Sequence, residues 1–439
     1  MSFRVTVVGT GYLGVTHAAC MAESGFDVVG VDVSETKVAA LAAGSIPFHE
    51  PGLGDIVRRH VDSGRLRFTT SLAEAGASGD VHFLCVGTPQ QSGGLGADLR
   101  QVEAALTGLA PHLGRQSLVV GKSTVPVGTA ERLWSQLESL SAPHDQIDLA
   151  WNPEFLREGH AVEDTLRPDR IVVGVRSGMA EKILREIYSV QIESGVPFLP
   201  MDLTTAELVK VAANSFLATK LSFINAMAEL CERTGADVTA LADAIGHDPR
   251  IGRRYLSAGL GFGGGCLPKD IRAFIARAEE LGVSDAVSFL RQVDAINGRR
   301  RARVVDLTRQ ECGGDLTGRR IAVLGAAFKP DSDDIRDSPA LDVAERLRLA
   351  GARVCVYDPA AMDNARRAFP ALEYAASLTT VVTGAQVLLH LTDWNEFVTL
   401  DPHRINGRVS GRIIIDGRNC LDAERWRLAG WTYRALGRR

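Results

Sequence analysis

No two of the seven cysteines (Cys20, Cys85, Cys231, Cys266, Cys312, Cys355 and Cys420) form a CxxC pair, and their number is odd. Neither a disulfide framework nor a structural zinc site is indicated, and a reducing compartment fits best. The ten histidines show no ligand spacing, so no metal is expected. Long apolar runs are also missing, since none approaches the ~18 residues of a membrane span. The chain begins a strand near its first residues and shows no secretory leader, so a cytoplasmic protein is expected. An excess of one charge is lacking too: the net charge is -4 with basic residues dispersed, so neither a nucleic-acid nor a membrane partner is expected. What is present is a soluble composition, 45% hydrophobic and 23% charged over 439 residues, a length that suggests about three domains.

The first organised feature is a short apolar strand, Arg4 to Val8, that runs into Gly9-Thr10-Gly11-Tyr12-Leu13-Gly14 and then an apolar helix. This is the dinucleotide fingerprint in its strand-turn-helix context. Gly9 permits the tight turn, Gly11 lets a pyrophosphate approach, and Gly14 lets helix and strand pack, with the phosphate on the helix N-terminus. A second strand ends in Asp32, 18 residues after Gly14. A carboxylate there bonds ribose hydroxyls and repels a 2′-phosphate, so NAD is expected rather than NADP. Further strands, VHFLCVG and SLVVGKS, end in Thr88 and in Ser123-Thr124, whose hydroxyls are expected to face the cofactor cleft. Gly121-Lys122-Ser123-Thr124 resembles the end of a P-loop, but Gln116 stands where that motif needs glycine, so ATP binding is rejected.

In the middle of the chain, Asn152 and Pro153 read as the cap and first residue of a helix. Glu154 and Glu158, four apart, would then share a face, as a functional pair or as a solvated surface. From about Leu203 to Gly235 the spacing predicts one long helix with apolar residues on most of its circumference, among them Leu208, Val211, Phe216, Ile224 and Leu230. Such a helix must be buried, which suggests a domain connector and a dimer interface. Lys210 and Asn214 lie four apart on it; a lysine among apolar residues is costly unless it has a function, although a snorkelling lysine is the alternative.

The stretch GLGFGGGCLPKD, Gly259 to Asp270, has five glycines before Cys266. Glycine allows backbone to approach a large substrate closely. Pro268 suits a first helical turn, so Cys266 is expected near a helix N-terminus, where partial positive charge favours a thiolate. A buried cysteine beside a glycine-rich turn is the alternative. From Gly318 a second alternation of strand and helix begins, without GxGxxG, and it places Lys329, Arg336 and Arg418 at strand ends. Those cations suit the phosphates of a second nucleotide, or else a purely structural domain with solvated side chains. The expected class is α/β: two Rossmann-like doubly wound domains, 1–200 and 311–439, joined by a long central helix and a helical middle domain, 201–310.

In order along essentially the full chain, GTGYLG, VGTP, KSTVPVGT, WNPEFLREG, PDRIVVG, LVKVAANSFLATKLSFIN, GLGFGGGCLPKD, AAFKPDSDDIRDSP and DGRN resemble the UDP-glucose 6-dehydrogenase family of nucleotide-sugar dehydrogenases. HDPRIGRRYLSAGLGFGG and PDRIVVG are more similar to the UDP-glucose branch than to the GDP-mannose branch. Gly265 departs from the serine or tyrosine that often precedes the cysteine, which bears on loop packing.

The resemblance implies NAD-dependent, four-electron oxidation of UDP-glucose to UDP-glucuronate. Two hydrides leave in succession through a cysteine thiohemiacetal and a thioester. By the same resemblance Cys266 is the nucleophile, Lys210 stabilises the oxyanion, Asn214 helps orient it, Asp270 with Thr124 positions a water, and Glu154 is the general base of hydrolysis. For the cofactor it implies, beside the glycine turn with Tyr12 and Leu13, residues Asp32, Lys37, Thr88, Thr124, Glu158, Lys269 and Arg336. For the sugar nucleotide it implies Glu154, Phe155, Leu156, Lys210, Asn214, Tyr255, Leu256, Ser257, Ala258, Gly259, Gly263, Phe328, Lys329 and Arg418. Arg250 resembles an arginine that reaches a neighbouring subunit's site in a homodimer. The competing expectations are a sister dehydrogenase for GDP-mannose or a UDP-N-acetyl sugar, a single-step hydroxyacid dehydrogenase, and an NAD-binding redox sensor.

Overall fold

The computed structural model describes residues 3–141 and 146–438. They pack as two compact units, one of Met1–Ala213 with Arg272–Gly282, the other of Asn214–Ile271 with Val283–Arg439.

The first unit is built on strands β1 (Arg4–Val8), β2 (Asp27–Val31), β3 (Leu66–Thr69), β4 (Val81–Leu84), β5 (Gln116–Gly121), β6 (Gln146–Trp151), β7 (Ile171–Gly174) and β8 (Phe198–Met201). The sheet order is β3-β2-β1-β4-β5-β6-β7-β8. Pairing is parallel from β3 to β6, β7 is antiparallel to β6, and β8 is parallel to β7. Helices on both faces bury the central strands, which is why they read as continuous apolar runs such as VTVV rather than as alternating ones. The order reverses between β1 and β4, where ligands bind in such sheets.

The second unit holds β9 (Arg320–Leu324), β10 (Arg353–Tyr357), β11 (Glu373–Tyr374), β12 (Val387–His390), β13 (Ile413–Asp416) and β14 (Thr432–Ala435). They are parallel in the order β11-β10-β9-β12-β13-β14. That is the permutation of the first six strands of the other unit, so the expected second Rossmann-like fold is present. Its core includes Val323, Leu388 and Ile414 under the helix Pro339–Leu349, which Ser338 caps by accepting from Leu341 N at 3.3 Å. Asp358, just after β10, corresponds in place to Asp32 after β2. Its carboxylate is taken up by Ala326 N, Ala327 N, Ala360 N, Ala361 N and the Trp394 indole N–H.

The long helix is Leu203–Thr234, 32 residues, and the boundary between the two units falls within it. Its expected burial on most sides is not found within the chain. Leu203, Ala206, Val211, Ala218, Ile224, Ala228 and Cys231 are buried, whereas Leu208, Phe216, Phe223 and Leu230 are exposed. A single chain covers one stripe of the helix only. Among the described residues no helix is long and apolar enough to cross a membrane.

Candidate functional site

In the first unit the turn after β1 has the geometry that a dinucleotide requires. Gly9 has φ 93°, and a Cβ there would come within 2.9 Å of the Val86 backbone. A Cβ on Gly14 would lie 1.8 Å from the Gly9 carbonyl oxygen, so helix and strand touch through it. At Gly11 a Cβ would meet nothing within 4 Å. The protein needs the outer two glycines for itself; the middle one is open on the side where a phosphate rests at the N-terminus of Tyr12–Glu23. Asp32 is buried and accepts from Thr10 N and Oγ1 at 3.0 Å, Ser34 N at 3.1 Å and Lys37 Nζ at 2.7 Å. Burial opposes its ionisation most strongly, but these bonds outweigh burial and hold the carboxyl below its usual range. The residues present therefore fit NAD.

Two expectations about this cleft change. The Tyr12 hydroxyl points inward: it donates to Glu50 and accepts from Gly159 N at 3.0 Å, while Glu50 also takes Gly159 N at 2.6 Å and Ala161 N at 2.7 Å. What Tyr12 offers a cofactor is main chain. Two of the hydroxyls after β4 and β5 are likewise engaged, Thr88 donating to the Thr124 carbonyl at 2.8 Å and Ser123 to the Val86 carbonyl at 2.7 Å. They tie the strand ends together, and only their acceptor lone pairs remain for a ligand. Leu13 is half-buried against the core.

The expected helix at Asn152-Pro153 is absent. Residues 152–157 are loop, and the next helix is Ala161–Leu166, so Glu154 and Glu158 share no helical face. The reason lies in the side chains. Asn152 turns inward to donate to the Val172 carbonyl at 2.8 Å instead of capping. Glu154 accepts from Phe155 N at 2.7 Å and Leu156 N at 2.9 Å, and its other oxygen pairs with Lys122 Nζ at 3.0 Å. Burial raises the Glu154 carboxyl, yet Lys122, with Lys210 more weakly, pulls it below the ordinary value. Lys210 is buried, as expected, with Nζ 5.2 Å from the centre of the Phe155 ring, and Arg170 lies 4.0 Å from the same centre. Glu158 is buried in the loop.

In the second unit Cys266 is exposed at the start of the helix Leu267–Glu280, and the Asp270 N–H donates to its carbonyl at 2.9 Å. The alternative of a buried cysteine is thus excluded. Asp270, 1% exposed, accepts from Asn214 Nδ2 at 2.6 Å and from Lys269 Nζ at 2.6 Å. Three of the expected site residues are therefore one hydrogen-bonded group, one turn beyond the thiol. Lys210 precedes Asn214 by one turn of the long helix.

The glycine run is first of all a packing device. Cβ atoms at Gly259, Gly261, Gly263 and Gly264 would come within 2.7 Å of the Gly417 carbonyl, 2.2 Å of Asn297 Oδ1, 2.3 Å of the Asp337 carbonyl and 2.8 Å of the Phe328 ring. The expected close approach is to the protein's own loops. At Gly265 a Cβ would lie 2.2 Å from the Arg336 guanidinium carbon, so Arg336, chelated by Asp334 at 2.9 and 2.6 Å, takes the room left by the missing side chain.

The loop is held by groups that the sequence reading passed over. Asn225 accepts from Gly259 N, and Asn297 brackets Phe262 through both its N–H and its carbonyl. Arg300 reaches the Gly259 carbonyl, and Arg301 the carbonyls of Phe262 and Asp337. The run GRRRAR, Gly298 to Arg303, thus supplies part of the clamp of the cysteine loop.

Arg418 bonds three carbonyls, of Leu391, Gly261 and Phe328, at 2.7, 3.3 and 2.9 Å, leaving two of its five N–H groups for a ligand. Lys329 lies 5.4 Å from the Phe328 ring centre. Tyr255 has the left-handed φ of 64°; Leu256, Ala258 and Gly259 after it are buried, and Ser257 is exposed. Arg250 is exposed and folded onto Asp248 at 2.6 Å. Glu50, Lys122 and Tyr188 escaped the sequence reading because each stands alone in the chain, and Lys122 was considered only within the rejected P-loop.

Known proteins resemble this chain over its full length. Three family models match in order: the NAD binding domain of the UDP-glucose/GDP-mannose dehydrogenase family at 3–192, its central domain at 204–299 and its UDP binding domain at 322–423. A UDP-glucose 6-dehydrogenase of Rhizobium meliloti is 41% identical over 437 residues, 99% of both chains. A solved UDP-glucose dehydrogenase from Pyrobaculum islandicum superposes with TM-score 0.91 at 40% identity, covering 100% of this chain and 98% of that one. A UDP-D-ManNAc dehydrogenase structure from Pyrococcus horikoshii gives 0.86 at 29%, with 99% of each chain covered. With the open glycine turn, the exposed thiol and these full-length likenesses together, the chain belongs to the UDP-glucose/GDP-mannose dehydrogenase family.

Proposed function

We propose that this chain oxidises UDP-glucose to UDP-glucuronate with two NAD. The observation that carries the reading is the exposed Cys266 at a helix start, one turn from the hydrogen-bonded Asp270–Asn214–Lys269 group, in which Asp270 and Asn214 are buried. Relatives named for UDP-glucose, at about 40% identity, stand nearer than the UDP-D-ManNAc enzyme at 29% and support the choice of sugar.

The bound dinucleotide accepts the hydride in each oxidation. The chain's own residues do the rest. An aldehyde has no carbinol hydride to give until a nucleophile adds, so the Cys266 thiolate adds to C6 and forms a thiohemiacetal. Lys210 and Asn214 balance the oxyanion. Loss of the second hydride leaves a thioester. Water attacks its carbonyl, the carbon–sulfur bond breaks, the thiolate departs and the water proton passes to Glu154. Asp270 and Thr124 hold a water. Asp32, Lys37, Thr88, Glu158, Lys269 and Arg336 contribute to the cofactor site, and Phe155, Leu156, Tyr255 to Gly259, Gly263, Phe328, Lys329 and Arg418 to the sugar nucleotide.

The molecule is read as a cytoplasmic homodimer through the long helix. Its exposed Phe216, Phe223 and Leu230, 67, 49 and 56% exposed, recur every seven residues and form one uncovered stripe. Arg250 would then serve the second copy's site. The test is NADH counted per UDP-glucose over a panel of sugar nucleotides. Two per UDP-glucose is expected; one would refute the cysteine mechanism, and a preference for GDP-mannose or a UDP-N-acetyl sugar would refute the substrate.

A further inference from the structure

Lys122 follows β5 directly, and its ammonium is buried to 4% exposure. A lone charge at such a site costs several kcal/mol unless it is paired and hydrogen-bonded. Lys122 donates to Asn152 Oδ1 at 3.0 Å and pairs with Glu154 Oε2 at 3.0 Å. The Asn152 amide cannot turn away, because its Nδ2 is held by the Val172 carbonyl at 2.8 Å and its Oδ1 also takes the Tyr188 hydroxyl at 2.5 Å. Other ionisable groups act on Lys122, but burial keeps Tyr188 protonated and pushes the Cys85 thiol up to about 12. His17, fully buried with neither ring nitrogen hydrogen-bonded, is kept neutral by burial first and by the Lys122 charge second. Glu154 is thus the counter-charge.

A carboxylate offers about four lone-pair sites. On Glu154 the N–H groups of Phe155 and Leu156 take two, and Lys122 takes a third. We propose that Lys122 is a positioning residue for thioester hydrolysis: its ammonium fixes Oε2 of Glu154, so that one lone pair of that carboxylate is left to receive the proton of the attacking water. Lys122 itself touches neither substrate nor cofactor. This rests on Glu154 being the base of that step.

The test follows decay of the Cys266-linked acyl adduct by intact mass after one turnover with UDP-glucose and NAD, across pH. It uses the wild type, Lys122→Met, Glu154→Gln and the double variant. In Lys122→Met the half-buried carboxylate loses its paired counter-charge and keeps only the weaker pull of Lys210, so decay slows by roughly 10²-fold and its acid limb moves to higher pH. In the Glu154→Gln background the same substitution adds little further slowing. Equal slowing in both backgrounds, or an unmoved acid limb, overturns the role of Lys122. Glu154→Gln decaying at the wild-type rate instead removes the reading of Glu154, a separate result. If Lys122→Met does not fold, Lys122→Arg enters the same cycle: the longer guanidinium keeps the charge but misplaces the contact, so slowing without a shifted acid limb is expected, and wild-type decay would overturn the proposal.

Discussion

Replacing Gly11 and Gly14 separately by alanine separates what the fold requires from what the cofactor requires. At Gly11 the backbone has φ -74° and ψ -168°, open to any residue, and a Cβ meets nothing within 4 Å. Alanine there removes freedom from the unfolded chain, a gain of about 0.4–1 kcal/mol, offset by a few tenths for a poorer helix cap. The fold should be indifferent. A pyrophosphate seated on that turn would meet the new methyl and lose one or two charge-assisted hydrogen bonds of about 1.5–3 kcal/mol each, roughly 10- to 10³-fold in Kd.

At Gly14 the Cβ would lie 1.8 Å from the Gly9 carbonyl oxygen, roughly 1.7 Å short of an ordinary contact. The helix must lift from the strand, at a cost of about 1–3 kcal/mol or more, against about 1 kcal/mol of helix propensity gained. Thermal unfolding without cofactor and calorimetric NAD titration give the two readings. Gly11→Ala should keep Tm and lose affinity, and Gly14→Ala should lose Tm. An equal loss of Tm in both would refute the open space at Gly11, and unchanged NAD affinity in Gly11→Ala would refute the placement of the dinucleotide.

Two further outcomes follow from the long helix. Glu207 is buried near its start and accepts Gly128 N and Ala130 N at 2.6 Å; burial pushes its carboxyl up to about 7 despite those bonds. Because the folded state holds this proton more tightly than the unfolded chain does, the linked stability is full below about pH 4.5 and is lost as pH rises through 7. Between pH 5 and 8 the stability of Glu207→Gln relative to wild type should therefore improve, by up to roughly 2–3 kcal/mol in denaturant unfolding; a constant difference would refute the shift. Placing arginine at both Phe216 and Phe223, exposed in the single chain, should leave the secondary structure by circular dichroism unchanged and yield monomers in sedimentation. Retained dimers would place the interface elsewhere.

Much of the frame was legible in the sequence because buried parallel strands are short β-branched runs: VTVV, RIAVL and IIID announce β1, β9 and β13. Less marked strands were not assigned. β8 carries Pro200 and exposed Leu199, and β11 has two residues. The thiol, Lys210 and Asn214 were legible as candidates because each is an unusual residue in a recognisable local setting, whereas Asp270 entered only through the family resemblance. The helical setting read for Glu154 is the part that failed. Asn152-Pro153 looks like a helix start, but a lysine 30 residues earlier draws both Asn152 and Glu154 inward, and no local pattern carries that contact. The same applies to Arg300 and Arg301, whose partners near Gly259 and Phe262 lie about 40 residues away.

The clamp on the cysteine loop bears on how activity should fail with heat. A segment this rich in glycine loses more conformational entropy on ordering than any other composition. Here that loss is incurred as the second unit folds, since Asn225, Asn297, Arg300 and Arg301 already fix the backbone from Gly259 to Phe262. Cys266, the proposed nucleophile, therefore follows a backbone that is already fixed, and substrate binding need not order it. Such a loop cannot soften ahead of its surroundings, so thermal inactivation should coincide with cooperative unfolding of the second unit instead of preceding it as gradual loosening of an active-site loop.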